Sequence, residues 1–437
     1  MRKKLSLFLI LCLNISFCYC QESFFIEKDR KRTRINFNFI NNLIIIPVEL
    51  NGVDLSFLLD TGVNTTVLLN LNPDDTLSVN SVEKVRLRGL GGEDHIEAFK
   101  SYGNDMRIGK VRNPDFPLYL IFDEKVNFSP RLGVPVHGII GYDFFKDFIV
   151  EINYARGFLR VHDPKQFRKK LRSYSDVPLQ FFKNKPYVTS KIEVDGPPQE
   201  ASLLLDNGLS DAVWLFSDSM NIMVPEKSFD DFLGLGLLGD VIGKRSRINS
   251  LTLGDYELQD VTASFPDSAS VKGVRLFEER NGSIGGELLK RFNLFFDYGN
   301  NKLYLRKNKF FEEAFNYNMS GIILEHNGFV VLESYVSVPQ GNQPDQGQVF
   351  PNSPAPYKKF ELQEAFRIVR LRKNSPAAMA GLQVGDILME VNGRSAYRYS
   401  LEDLTKLFSS QDGRRIKLQV ERDGRQMDYM FNLKKML

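Results

Sequence analysis

The chain has 437 residues, of which 43% are hydrophobic and 25% are charged, so fibrous, coiled-coil and wholly disordered proteins are excluded. Its 57 basic and 54 acidic residues give a net charge of +3, and this balance predicts no nucleic-acid partner. At about 100–200 residues per domain, the length predicts two to four domains.

The N-terminus has the pattern of a signal peptide. Basic residues at positions 2–4 precede the apolar run Leu5–Leu13, and a small-x-small cleavage pattern ends at residue 20. We therefore expect residues 1–20 to be removed and the protein to be periplasmic or secreted; a buried first helix is the alternative. No apolar run is long enough to cross a bilayer, so no transmembrane segment is predicted in the mature chain.

All three cysteines, Cys12, Cys18 and Cys20, lie within this N-terminal segment. The mature chain should therefore contain no disulfide, thiol nucleophile or thiolate metal site. Lipoprotein anchoring is a minor alternative, because Phe17 and Tyr19 before the cysteines fit a lipobox poorly. The four histidines form no metal-binding motif, and we predict neither a metal nor another cofactor.

The rest of the chain contains a long duplication. Residues 57–62 read FLLDTG and residues 203–208 read LLLDNG, so the two aspartates are 206 − 60 = 146 positions apart. The glycine-bounded segments 138–141 and 282–285 recur at 282 − 138 = 144. Two pairs of segments that agree this closely predict one unit of about 145 residues, the size of a domain, present twice.

Each unit is predicted to be mostly β. In the first, the β-branched run Leu43–Val48 leads through the turn Asn51-Gly52 into the strand Val53–Leu59. The second copy repeats this order. We place the first lobe at residues 21–165 and the second at residues 166–315.

A glycine-rich hairpin follows the aspartate loop in each unit. The first contains Gly89, Gly91 and Gly92, and the second contains Gly236 and Gly239. Glycine supplies positive φ and little packing, which is typical of mobile hairpin tips. Most such tips are ordinary turns, but the repetition in both units favours a shared function.

The two aspartates are the candidate catalytic residues. Asp60 and Asp206 each end an apolar strand, where an isolated carboxylate is costly to bury. If the two lobes pack about a twofold axis, the carboxyls meet and share one proton, since both cannot ionise at such short distance. One would then act as general base on a water and the other as general acid on a peptide carbonyl. Gly62 and Gly208 allow the loops to approach, and Thr61 can bond across the axis.

These motifs resemble those of the retropepsin-like aspartic proteases. The Asp60-Thr61-Gly62 loop and the Gly138–Gly141 segment match that family's signature, and the two glycine-rich hairpins resemble its flaps. The layout is similar to exported bacterial proteases with two fused lobes and a C-terminal PDZ domain. The resemblance implies a mainly β fold with pseudo-twofold lobes, followed by an α+β PDZ domain, and an aspartic endopeptidase that hydrolyses peptides or proteins.

The second lobe departs from the family pattern. Asn207 stands where a threonine or serine is usual, and Ser283 replaces an apolar residue. The alternative is therefore a catalytically inactive exported protein that binds peptides through a pseudo-protease cleft and a PDZ groove. A duplicated β-barrel in which both aspartates are merely turn residues belongs to the same alternative.

The C-terminal part resembles a PDZ domain. Residues 374–393 match its core stretch, with a short helix over Ala377–Ala380 and a strand over Ile387–Val391. We place this domain at residues 316–437. The segment at about 338–361 is rich in Pro, Gln, Asn and Gly, and we interpret it as a flexible insertion.

A PDZ groove would lie between the amphipathic helix Leu401–Phe408 and a strand near Gly321. Backbone N–H groups of the loop before that strand would hold a terminal carboxylate while the peptide adds a strand. Protein C-termini are therefore predicted partners, and the alternative is a PDZ domain that only packs against the protease. The predicted loop residues are Met319, Ser320, Gly321 and Ile322.

Overall fold

The computed structural model describes residues 23–69, 77–87, 96–123, 126–217, 222–236, 239–271, 279–336 and 357–437. The predicted signal peptide and the predicted flap glycines Gly89, Gly91 and Gly92 lie outside these residues. Strands account for 54% of the structure and helices for 12%, so the predicted mainly β class is confirmed. None of the helices in the described ranges has the length and apolar character needed to cross a membrane.

The first part of the chain forms a large, mostly antiparallel sheet with two parallel pairs among its described strands. Its strands and helices are β1 (Phe25–Ile26), β2 (Arg32–Asn36), β3 (Asn38–Ile40), β4 (Leu43–Leu50), β5 (Val53–Leu59), β6 (Val67–Leu68), β7 (Val82–Leu87), β8 (Ile96–Ile108), β9 (Val111–Leu120), α1 (Ser129–Leu132), β10 (Gly138–Ile140), α2 (Tyr142–Phe145), β11 (Ile149–Asn153) and β12 (Phe158–His162). Among the described residues, the sheet runs β1-β9-β6-β10-β5-β4-β8-β7, with β3 beside β4. The parallel pairs are β5–β10 and β6–β9.

The second part repeats this arrangement. Its elements are β13 (Ser175–Pro178), β14 (Gln180–Phe182), β15 (Lys185–Glu193), β16 (Gln199–Leu205), β17 (Val213–Leu215), β18 (Phe229–Gly236), β19 (Gly239–Leu253), β20 (Tyr256–Pro266), α3 (Ser268–Val271), β21 (Arg280–Ile284), α4 (Gly286–Leu289), β22 (Phe292–Asp297) and β23 (Lys302–Lys307). Its sheet runs β14-β15-β16-β21-β17-β20-β19-β18. Read from β3, the first sheet has this same order, strand for strand.

A third sheet joins the two lobes, in the order β13-β23-β22-β11-β12-β2. At its centre, β11 and β22 are antiparallel, and Glu151 lies opposite Phe295. These two residues are also equivalent in the duplication, because 295 − 151 = 144. The strand pair is thus symmetric about that point, and the pseudo-twofold axis passes between the lobes there.

The glycine-bounded segments hold the aspartate loops from behind. In the first lobe, β10 is parallel to β5, and a Cβ on Gly141 would lie 2.2 Å from the Asp60 carbonyl oxygen. In the second lobe, a Cβ on Gly285 would lie 2.2 Å from the Asp211 carbonyl oxygen. Only glycine allows the backbones to approach this closely.

The PDZ part has its own sheet and core. Its elements are β24 (Ile322–Val336), β25 (Tyr357–Leu371), α5 (Pro376–Met379), β26 (Ile387–Val391), β27 (Arg394–Ser395), α6 (Leu401–Phe408), β28 (Arg415–Arg422) and β29 (Arg425–Asn432). The described strands run β24-β25-β26-β28-β29, with β27 beside β26. A reciprocal capping box between Ser400 and Asp403 starts α6, which explains why this helix matches the predicted bounds.

The predicted insertion at about 338–361 is partly wrong. Its last residues, 357–361, belong to β25, where Tyr357 pairs with Val336. Backbone pairing across a long hairpin outweighs the polar composition that suggested a loop. Residues 338–356 of the predicted insertion lie outside the described chain.

The PDZ part packs against both lobes. From the first lobe, Arg131 on α1 forms an ion pair with Glu325 on β24. From the second, Asp231 on β18 lies 3.6 Å from the Arg372 guanidinium, and Asp240 pairs with Arg370. Strands β18 and β19 of the second lobe are therefore tied to the PDZ sheet by charged contacts.

We expect the sheet between the lobes to dominate stability. Ile152 on β11 is fully buried opposite Leu294, so Ile152→Ala should lower the free energy of unfolding by about 2–5 kcal/mol through lost burial and a cavity. Urea denaturation measures this change. Val82→Ala, at a side chain that is 51% exposed, serves as the control, and equal effects of the two substitutions would contradict the assignment.

Candidate active site

Asp60 and Asp206 stand directly after equivalent buried strands, β5 and β16. The Asp60 N–H donates to the Ile140 carbonyl at 2.8 Å, and the Asp206 N–H donates to the Ile284 carbonyl at 2.9 Å. Each aspartate loop is therefore fixed by the strand behind it. The same bond in each lobe places both carboxyls at the axis between the lobes.

The two loops approach until the carboxyls contact each other. A Cβ on Gly62 would lie 2.8 Å from Asp206 Cγ, and a Cβ on Gly208 would lie 2.3 Å from Asp60 Cγ. The Gly62 N–H donates to Asp60 Oδ1 at 2.7 Å, and the Gly208 N–H bonds Asp206. Glycine is thus required at both positions, because each loop packs directly against the carboxyl group of the other.

Behind the carboxyls, Thr61 and Asn207 interlock the loops. The Thr61 hydroxyl lies 2.8 Å from the Leu205 carbonyl and 2.7 Å from Asn207 Oδ1. In the opposite direction, Asn207 Nδ2 donates to the Leu59 carbonyl at 3.0 Å. Each side chain thus reaches the backbone of the other lobe just before its aspartate.

The amide of Asn207 performs both functions of the hydroxyl it replaces. Its Oδ1 accepts the Thr61 N–H at 2.8 Å, as Thr61 Oγ1 accepts the Asn207 N–H at 3.2 Å. Both side chains are fully buried. Their polar groups therefore have no contact with solvent and depend on these bonds for partners. The departure from the family pattern at this position therefore leaves the interlock complete.

The two carboxyls differ in their affinity for a proton. Burial, followed by the negative charge of Asp206, raises the pKa of Asp60 well above its usual range. Burial also raises the pKa of Asp206, but the cations Arg280 and Lys185 and the hydrogen bond from Asp60 oppose this rise. The shared proton therefore belongs on Asp60, which donates it toward an ionised Asp206.

Sequence reasoning missed Lys185 and Arg280. Lys185 opens β15 directly after the turn at Lys183 and Asn184, where both residues have positive φ, and it lines the cleft with the two aspartates. Aligning the strands of the two copies would have exposed it, since the position equivalent to Lys185 in the first lobe is Leu43. A cation that replaces a buried leucine beside two carboxyls is a signal for function.

The predicted second flap is the hairpin of β18 and β19. Gly236 pairs with Gly239 at its described tip, and Phe232, Leu235 and Gly236 line the cleft that contains the aspartates. The hairpin thus lies over the site, as a flap must. The predicted flap glycines of the first lobe lie outside the described residues, so the structure describes only the second hairpin at its tip.

The aspartates open into a cleft of about 1770 Å³ between the lobes. Residues of the PDZ part also line it, among them Ile322, Leu324 and Thr405. An extended peptide of several residues fits this volume. The cleft and the edge of the PDZ sheet thus form one continuous cavity.

The predicted carboxylate-binding loop of the PDZ part is closed. The Met319 N–H donates to the Phe408 carbonyl at 2.9 Å. The N–H groups of Ser320 and Gly321 both donate to Asn318 Oδ1 at 3.0 Å. The fourth, of Ile322, donates to Ser320 Oγ at 3.0 Å. In this conformation, the four N–H groups predicted to hold a carboxylate already have acceptors within the chain.

Two family models match parts of the chain. A family model described as "Aspartyl protease" matches residues 46–144, and a model of the PDZ domain matches residues 367–422. Among solved structures, the aspartic proteinase from Irpex lacteus matches with 14% identity and a TM-score of 0.40, over 64% of this chain and 99% of that one. A search of curated proteins returned no match.

The segment matched by the protease model contains Asp60 and β10, the two parts of the first-lobe signature. The second lobe lies outside both matched segments, and its relation to the first rests on the common strand order and the paired aspartate loops. The chain carries a retropepsin-like aspartyl protease domain and, after it, a PDZ domain.

Proposed function

We propose that the protein is an aspartic endopeptidase whose catalytic groups are Asp60 and Asp206. The observation that carries this proposal is the close approach of the two buried carboxyls, each of which packs against the glycine of the other lobe's aspartate loop. A pair that shares one proton contains a general acid and a general base in one contact. The large cleft in front of it supports a peptide as the substrate.

The asymmetry of the pair assigns the two roles. Ionised Asp206 accepts a proton from water as the water oxygen bonds to the carbonyl carbon of the scissile peptide. Asp60 gives its proton to the carbonyl oxygen, which forms a neutral tetrahedral diol. The diol then returns a hydroxyl proton to one carboxyl while the peptide nitrogen gains a proton from the other. The C–N bond breaks, and the pair regains its single proton.

The alternative is a protein that binds peptides without cleaving them. The argument for this alternative is that the second lobe departs from the family pattern at Asn207 and Ser283. The intact interlock around Asn207 counts against it, because the carboxyls are held as closely as glycine permits. Ser283, the other departure, accepts a hydrogen bond from Arg280 at 2.6 Å, so it has a structural role.

Docking of protein C-termini by the PDZ part stays a prediction. The closed loop at Met319–Ile322 counts against it in this conformation. The charged contacts to β18 and β19 instead support a PDZ part that positions the flap of the second lobe. We also propose export of the protein, on the basis of its N-terminal sequence pattern.

Removal of either carboxyl tests the proposed reaction. Asp60→Asn and Asp206→Asn should each lower the rate of peptide cleavage by at least about 100-fold, since the pair loses its acid or its base. Asp54→Asn, at an exposed position on the same strand as Asp60, should cleave at the wild-type rate. A hydroxyl-bearing transition-state mimic should inhibit the wild type. Full cleavage by Asp60→Asn would exclude the mechanism.

The pH dependence should follow the shared proton. Activity should fall as pH rises through the raised pKa of the pair, because both carboxyls are then ionised. The positive charge of Lys185 opposes this rise in both aspartates, so Lys185→Leu should raise the pair's pKa and move the alkaline limb to higher pH. Rate–pH profiles measure this shift. Lys191→Leu, on the exposed face of β15, should leave the profile unchanged, and a shift to lower pH in Lys185→Leu would contradict the assignment.

The interlock provides a third test. Asn207→Ala leaves the Thr61 N–H and the Leu59 carbonyl buried without partners, so the free energy of unfolding should fall by about 2–5 kcal/mol and cleavage should fall with it. Asn207→Thr restores a hydroxyl and should cost less on both counts. Urea denaturation and peptide cleavage measure the two effects. An alanine variant as stable as the wild type would show that the interlock contributes little.

A further inference from the structure

The cleft walls of the two lobes differ in chemistry, although their backbones are equivalent. In β4 and β15, Ile45 lies opposite Leu58 and Tyr187 lies opposite Leu204. Leu58 and Leu204 each stand two residues before a catalytic aspartate. Ile45 and Tyr187 are therefore equivalent. Leu43 stands two residues before Ile45, and Lys185 stands two residues before Tyr187, so Leu43 and Lys185 occupy equivalent positions at the cleft.

A second pair of equivalent positions shows the same change. His137 Nδ1 accepts the Ser56 N–H at 3.0 Å, and Asn281 Oδ1 accepts the Ser202 N–H at 2.7 Å. These two bonds show that His137 on the first lobe and Asn281 on the second are equivalent. The residues just before them, Val136 and Arg280, are therefore equivalent as well. Two apolar residues of the first lobe are thus replaced by two cations in the second.

At these positions the first-lobe wall is therefore apolar. Leu43 and Val136 belong to a buried cluster that contains only hydrophobic side chains, and four of its members line the cleft. The cleft-lining members are Leu43, Leu58, Val67 and Ile139. A hydrophobic substrate side chain gains burial against this wall.

The second-lobe wall is positive. Lys185 is half-buried and lines the cleft beside the dyad. Within the part of the chain that the structure describes, no carboxylate lies within salt-bridge distance of its ammonium group. Arg280 is only 4% exposed and is held by the Gly282 carbonyl and Ser283 Oγ. Burial and the nearby Arg280 lower the pKa of Lys185, so a carboxylate entering here would relieve both costs.

Two other cations that line the cleft have carboxylate partners. Arg245 is bound to Asp211 at 3.0 Å and to Asp231 at 2.7 Å, and Arg372 also faces Asp231. These groups neutralise one another beneath the flap. Lys185 lies in the cleft beside the dyad and has no such partner among the described salt bridges.

We propose that the cleft selects peptides with an acidic side chain on the second-lobe side of the scissile bond and an apolar one on the first-lobe side. Lys185 contacts the acidic group, and Arg280 behind it keeps the wall positive. This inference rests on the proposed endopeptidase function and defines its substrate class.

A matched pair of peptides tests the proposal. The sites cut by the wild type are first located in a peptide mixture by mass spectrometry. Glutamate and glutamine versions of the best substrate are then compared at about pH 6, where free glutamate is ionised. We expect kcat/KM to be about 10- to 100-fold higher for the glutamate peptide, the range for a hydrogen bond to a charged group.

Substitution of Lys185 separates recognition from a change in the dyad. Lys185→Leu gives the second lobe the residue of the first, and it should remove the preference for glutamate while cleavage of the glutamine peptide persists. Lys185→Glu should reverse the preference, toward a lysine version of the peptide. Lys191→Leu should retain the wild-type ratio. Equal loss on both peptides in Lys185→Leu, with only a shifted pH profile, would overturn the proposal.

Binding to the Asp60→Asn variant separates this inference from the proposed function. The variant keeps a neutral group at position 60, and it should bind the glutamate peptide about 10- to 100-fold more tightly than the glutamine peptide. Loss of this difference in the Asp60→Asn, Lys185→Leu double variant would support recognition by Lys185. Selective binding without any cleavage by the wild type would reject the endopeptidase and retain the acidic preference. If the wild type cleaves peptides but neither cleavage nor binding distinguishes glutamate from glutamine, the endopeptidase is retained and the acidic preference is rejected.

Discussion

The contact between two carboxyl groups at the axis is the constraint on which the rest of the molecule depends. Two such groups repel when both are ionised, and burial in a low-dielectric site makes that repulsion larger. The fold must therefore hold Asp60 and Asp206 together against this tendency. It does so with glycines that permit contact, with a buried interlock behind them, and with a sheet that fastens one lobe to the other.

The sheet between the lobes explains how this contact survives thermal motion. Strands β11 and β22 belong to different lobes yet pair as neighbours, and Glu151 and Phe295 meet at the symmetry point. Glu151 is buried, and its carboxylate contacts Arg160, His162 and Lys169. Burial alone would raise the pKa of this carboxyl, but the three partners outweigh burial and lower the pKa to about 2. The lobes are thus parts of one folded body rather than two domains on a linker.

Much of this architecture could be predicted from the sequence because it is repeated. The duplicated aspartate loops and glycine segments predicted two equivalent lobes and a pair of facing carboxyls, and the amphipathic pattern of residues 401–408 predicted α6. Each of these sequence signals spans only a few consecutive residues. Such short motifs determine the local backbone conformation, and they can therefore be recognised without knowing the fold.

The remaining features depend on groups that meet only after folding. The substitution at Asn207 suggested an impaired site, but its amide reaches Leu59 in the other lobe and completes the interlock. The PDZ loop suggested open donors, but Asn318 turns back and occupies two of them. Lys185 follows a turn and carries no motif in the sequence, and only the fold brings it into the cleft beside the aspartates.

The fusion of both lobes in one chain has a consequence for how such a site can evolve. In a symmetric homodimer, every substitution appears twice, so a change that suits one half of the cleft must be tolerated by the other. Here each half is encoded separately. The pairs Thr61 and Asn207, and Leu43 and Lys185, show the result, since equivalent positions of the two halves carry side chains of different chemistry on the same backbone.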